Sequence, residues 1–191
     1  LPRRIGEICA SLPRSQMTTR ILLLPSTQPQ ELAKMVEFQI EKEIPFPKDK
    51  IIFDYSLIET TPEGYTRLLL VIAGEEVIRR SLNLLKKSGL VPNSLFFSSQ
   101  GLASWFGVTQ KERKEDDQFF ALVDIDRFVT HVEILRRGRL YFTRSFMMGE
   151  HQIDGEKEGA SQEAFFQELS RTLSAFKKEF PEAKIDRLFL S

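Results

Sequence analysis

The chain has 191 residues, 41% hydrophobic and 28% charged, enough material for a buried core in one large or two small domains. Lys plus Arg and Asp plus Glu number 27 each, so no global field draws the chain to nucleic acid or to an anionic membrane. Even the apolar run Leu68 to Ala73 falls far short of the roughly 20 residues needed to cross a bilayer, so any membrane role requires recruitment.

Two strand-like runs, Glu7 to Leu12 and Gln16 to Leu24, flank Pro13-Arg14. Cys9, in the first of them, is the single cysteine; it excludes an internal disulfide and reads as a packed thiol in a reducing, cytoplasmic compartment. The start, LPRRIG, has neither an initiator Met nor the apolar core of a secretory signal, so the sequence is expected to be a fragment.

A helix is expected from about Thr27 to Ile44. Thr27 and Gln30 fit a capping box, and Pro29 suits a first turn whose N–H has no intrahelical partner. Leu32, Ala33, Val36, Ile40 and Ile44 form an apolar stripe, with Phe38 almost opposite. Pro45 and Pro47, around Phe46, end the helix on a rigid aromatic exit.

Strands Ile51 to Glu59 and Tyr65 to Ala73 follow, with a turn at Thr61-Pro62-Glu63-Gly64. A second helix opens on Glu75-Glu76, buries Ile78, Leu82 and Leu85, and closes on Lys86-Lys87 before Gly89. Leu90 to Phe97 reads as a strand, leading into a short helix through Leu102 and Trp105. The run KERKEDDQ, Lys111 to Gln118, reads as a solvated linker. Three strands are then expected, Phe119 to Ile125, Val129 to Leu135 and Leu140 to Met147, followed by a loop from Gly149 to Gly159. A long helix from about Ser161 carries Phe165, Leu169, Leu173, Phe176 and Phe180 to the stop at Pro181, and Arg187 to Leu190 begins a last strand.

Candidate chemistry is sparse. His131 and His151 have no ligand-type spacing with acids or thiols, which favours solvated side chains over a metal. Ser98-Ser99-Gln100-Gly101 lacks the glycine that precedes a nucleophilic serine at a strand-to-helix elbow and is expected to supply a helix N-cap. Arg136, Arg137 and Arg139 around Gly138 read as a hairpin tip rather than a nucleic-acid patch. Asp124-Ile125-Asp126, with Thr130 opening the next strand, reads first as a hairpin turn, and second as a place where an acid and backbone amides could hold phosphate and metal.

Four segments, LPRSQMTTRILLLPS, MVEFQIEKEIPFPKDKIIFDYSLI, LLLVIAGEEVIRRSLNLLKKSGLVPNSL and ALVDIDRFVTHVEILRRGRLYFTRSF, together resemble the PilM family of type IV pilus assembly, over nearly the whole chain. The most specific element is the glutamate-rich helix running into Ile44-Pro45-Phe46-Pro47 and then Phe53-Asp54-Tyr55. FtsA and the cytoplasmic part of the type II secretion protein GspL share this architecture. The resemblance implies an α/β, or α+β, class: an incomplete actin-like (ribonuclease H-like) fold with an inserted strand-helix-strand-strand subdomain. Residues 1–108 would hold that subdomain and neighbouring actin-like elements, 109–118 the charged linker, and 119–191 the truncated start of a second actin-like domain.

The resemblance further implies a nucleotide held by an N-terminal phosphate motif, a second motif Asp-x-Gly-x-x-x-Thr, and a glycine-rich adenosine motif. Asp124 and Thr130 match the ends of the second, but Asp126 stands at its glycine. The first is expected before Leu1 and the third after Ser191. This fragment is therefore expected to hold no cofactor or metal and to be no enzyme, leaving ATP with magnesium open to a full-length protein. The implied role is a scaffold at the cytoplasmic face of the inner membrane, binding the cytoplasmic tail of a PilN-like protein. The alternatives are a GspL-like domain recruiting the secretion ATPase and an FtsA-like ATPase or oligomer. The tail groove of such proteins lies beside the inserted subdomain, which places partner contact near Phe38, Phe46 and Tyr55.

Overall fold

The computed structural model describes residues 6–43, 47–109, 117–153 and 158–191, and the side chains of all of these except 43 and 158–160. Phe46, with Ile44 and Pro45, lies outside the described residues, as does the charged run up to residue 116. The chain divides into two compact units, Leu1–Gly101 and Leu102–Ser191.

In the first unit, β2 (Met17–Leu24), β3 (Ile51–Thr60) and β4 (Thr66–Gly74) form an antiparallel sheet in the order β2-β4-β3, crossed by α1 (Pro29–Glu43). Period-two alternation sends Leu22 and Leu24 of β2, Leu68, Leu70 and Ile72 of β4, and Ile51 of β3 toward the helix. From α1, the stripe Leu32, Val36 and Ile40 meets them, each at most 3% exposed. Burying each of these side chains contributes about 1.5–3 kcal/mol. This is the expected strand-helix-strand-strand order.

The helix start differs from the expected Thr27–Gln30 box. Buried Ser26 does the capping: its Oγ accepts the Gln28 N–H at 3.1 Å and donates to Glu31 Oε2. The Glu31 and Leu32 amides then bond the Gln28 carbonyl, with Pro29 first in the helix. A hydroxyl one residue earlier won because Ser26 is turned inward while Thr27 is exposed.

A parallel pair, β1 (Cys9–Leu12) with β5 (Ser94–Phe97), completes the unit together with α2 (Glu75–Lys87). Cys9 is exposed rather than packed, and its sulfur accepts the Ser94 hydroxyl at 3.2 Å. Next, α3 (Ser98–Thr109) starts on Ser98, whose hydroxyl accepts the Arg14 backbone N–H at 2.9 Å.

The second unit is a four-stranded sheet in the order β8-β7-β6-β9, from β6 (Phe119–Ile125), β7 (Thr130–Arg136), β8 (Arg139–Phe146) and β9 (Ile185–Leu190). Strands β6, β7 and β8 form antiparallel hairpins, and β9 adds parallel to β6. Ala103 and Phe106 of α3 pack with Phe120, Leu122 and Leu135, while Phe165 packs with Val123, Val132 and Phe146. Phe165 belongs to α5 (Glu158–Glu179), which starts before the expected Ser161. Within the expected loop the chain instead forms α4 (Glu150–Ile153).

The arginine tip is a hairpin turn. Arg137 and Gly138 both take positive φ, 51° and 69°, as a two-residue turn between right-twisted strands requires. Arg136 and Arg137 pair with Asp117 at 2.6 and 2.8 Å, and Arg136 also lies over the Phe119 ring at 4.9 Å. The Arg136 hydrogen bond holds the Asp117 carboxyl below the usual range.

Candidate functional site

The sheet of the first unit has two faces, and only one is covered by α1. Ile52, Asp54 and Ser56 of β3 lie opposite Ala73, Val71 and Leu69 of β4 in register, and this row points away from the helix. All of this row except Leu69 lines one wall of a cavity of about 340 Å³. Leu95 to Phe97 of β5 supply the facing wall, and Leu12, Met17, Ile78 and Gln100 complete it. Two of its apolar side chains remain largely open to solvent, Ile52 at 45% and Phe96 at 44%. Among the described residues β3 pairs with β4 alone and is an outer strand of its sheet, so the cavity lies on the sheet face beside a strand edge where an extended segment can add.

Among the three expected partner-contact residues, Tyr55 lines this cavity, half-buried, with its ring also against the α1 core. Phe38 projects from the outer face of α1, 64% exposed, and does not line it. Residues missed in the sequence are Ile52, Asp54 and Phe96. The alternation Ile52-Asp54-Ser56 against Ile51-Phe53-Tyr55 carries a signal for a two-faced strand. The pairing of β1 with β5, more than 80 residues apart, has no local signal.

The Asp124–Thr130 turn is built differently from a phosphate cradle. Asp126 N–H bonds the Val129 carbonyl at 3.0 Å, and Arg127 N–H is met at 2.7 Å by Asp126 Oδ1. The carboxylate of Asp126 thus occupies an amide that a phosphate would need. Thr130, fully buried, donates its hydroxyl to the Met148 carbonyl at 2.7 Å. Glu150 and His151 donate their amides to the carbonyls of Asp126 and Arg127, at 3.0 and 3.1 Å, which docks the start of α4 on the turn. A Cβ on Gly149 would lie 2.1 Å from the Asp126 carbonyl oxygen and 2.6 Å from the Phe128 nitrogen. The residues of this turn do not fit a nucleotide phosphate.

The two histidines sit in different surroundings. His131 is half-buried in β7, opposite Asp124 in register, rather than solvated as expected. His151 is exposed and lies in α4, its ring 5.7 Å from that of Phe128. Among the described residues no group of three His, Cys, Asp or Glu side chains is placed to hold a metal, and no helix is long and apolar enough to cross a membrane.

A strand-helix-strand-strand subdomain, with a second sheet of two antiparallel hairpins extended by a parallel strand, defines an α/β protein of the actin-like class. The chain belongs to the family of the type IV pilus assembly protein PilM, whose model matches residues 1–157. Among solved structures it is similar to the PilM-PilN type IV pilus biogenesis complex, with 20% identity and a TM-score of 0.74 over 99% of this chain and 63% of that one. It is also similar to the cytoplasmic domain of EpsL, an inner membrane component of the type II secretion system of Vibrio cholerae. There the identity is 13% and the TM-score 0.51, over 81% of this chain and 59% of that one. At these identities the likeness is one of fold, and the chain spans less than two thirds of either solved relative. No curated protein matches the sequence.

Proposed function

We propose that this chain is the tail-receiving part of a non-enzymatic adaptor, working at the cytoplasmic face of the inner membrane in type IV pilus assembly. Its occupant is the N-terminal cytoplasmic tail of a PilN-like membrane protein, held in the cavity along β3. The observation that carries this reading is an open strand edge with two half-exposed apolar side chains, Ile52 and Phe96, facing the same cavity. An extended tail supplies main-chain hydrogen bonds to the edge on either side of Tyr55, whose N–H is held by Asp54, and buries alternate side chains against the two walls. Membership of the PilM family and the fold shared with a PilM-PilN complex support the choice of partner.

Phe38, outside the cavity, is assigned a separate contact with the same partner, since a rigid exposed aromatic suits an interface better than open water. A full-length Phe38→Ala protein is expected to bind the short tail peptide unchanged and to bind the partner's longer cytoplasmic segment more weakly. Equal affinity for the longer segment would remove Phe38 from the interface.

The occupied turn at Asp126 supports a receptor rather than an ATPase. Calorimetric titration of full-length protein with ATP and Mg²⁺ is expected to give no saturable heat; submillimolar binding would favour the actin-like ATPase reading.

A further inference from the structure

We infer that the segment received by the β3 cavity carries a Lys or Arg side chain among apolar neighbours, and that Asp54 selects it. This rests on the tail-receptor reading above and adds the chemistry of the tail.

Asp54 is the charged residue of the cavity lining; the remaining side chains there are apolar or bear hydroxyl or amide groups. It lies in the middle of the β3 row, between Ile52 and Ser56, on the face turned from α1. One carboxylate oxygen, Oδ1, accepts the Tyr55 backbone N–H at 2.8 Å, which fixes the group along the strand. Among the described residues no salt bridge engages Asp54 and no other bond to its carboxylate is present. The carboxylate is therefore positioned while one oxygen stays open.

An occupant that covered this group with apolar surface alone would desolvate an unpaired charge, which is strongly unfavourable. A cation at that position turns the same burial into a charge-assisted hydrogen bond. In an extended segment, side chains two positions apart share a face, so a cation opposite Asp54 brings an apolar neighbour against Ile52. Asp54 thus acts in two directions, favouring a basic residue in register and penalising an acidic or apolar one.

The test uses full-length protein and synthetic peptides of the partner's N-terminal tail, each Lys or Arg replaced in turn by Gln and by Glu. At one position, Gln is expected to weaken binding about fivefold and Glu further, with the effect shrinking at high salt. Asp54→Asn should remove the difference between the native and Gln peptides, and Asp54→Lys should restore binding of the Glu peptide. Ile52→Asp serves as the control for cavity occupancy, and thermal unfolding checks that each variant folds. If peptides bind and Ile52→Asp blocks them, yet no basic position matters, the selection by Asp54 is overturned while the receptor reading stands. If no peptide binds the wild type, the receptor reading itself falls, and this inference with it.

Discussion

At Gly149 the backbone comes so close to the Asp126–Phe128 turn that any side chain overlaps main-chain atoms, which cannot swing aside. Gly149→Ala is expected to cost about 1–3 kcal/mol, read as a lowered denaturant midpoint with an unchanged slope. A midpoint equal to wild type would mean that the turn and α4 separate freely. Asp117 makes a different residue-scale prediction. Because Arg136 depresses its folded-state pKa, the pair contributes stability above the ordinary carboxylate value, and that contribution is lost as pH falls through the folded value. Asp117→Asn should therefore shed part of the acid dependence of the melting temperature below about pH 4 while changing little near neutrality beyond the loss of the pair.

Helix α1 separates packing from exposure on a single element. Ile40, 2% exposed in the helix-sheet core, should cost about 2–4 kcal/mol as Ile40→Ala, whereas Phe38→Ala, two residues away, should stay within about 0.5 kcal/mol. Comparable losses at both sites, measured by chemical denaturation, would contradict the assigned face. This face was legible in the sequence because 3.6-residue periodicity is local and strong over Leu32, Val36 and Ile40. The helix start was less legible, since Ser26, Thr27 and Gln30 offer competing caps and only the fold decides which hydroxyl turns inward. The short helix α4 was hidden by glycines that read as loop, although Gly149 serves close packing rather than a turn. Most of the cavity was illegible for a different reason. Its walls come from β3 and β5, and no periodicity within either strand announces that they face each other.

On the scale of the whole molecule, the order of elements carried the fold class, and the departure at Asp126 was readable as a single letter in an otherwise matching turn. What the structure adds is the fate of that letter: its carboxylate sits on the Arg127 amide. The same chain therefore combines a turn whose Arg127 amide is held by Asp126 in one unit with a half-apolar cavity beside the β3 edge in the other. That combination is what the proposed receptor role rests on. The most direct test is a calorimetric titration of the PilN-like partner's N-terminal tail peptide into full-length wild-type protein and into a folded Ile52→Asp variant. The account predicts saturable binding to wild type and at least about a tenfold loss in the variant, as expected when a charge is set on an apolar wall. Equal affinity for the two proteins, or no binding to either, would contradict it.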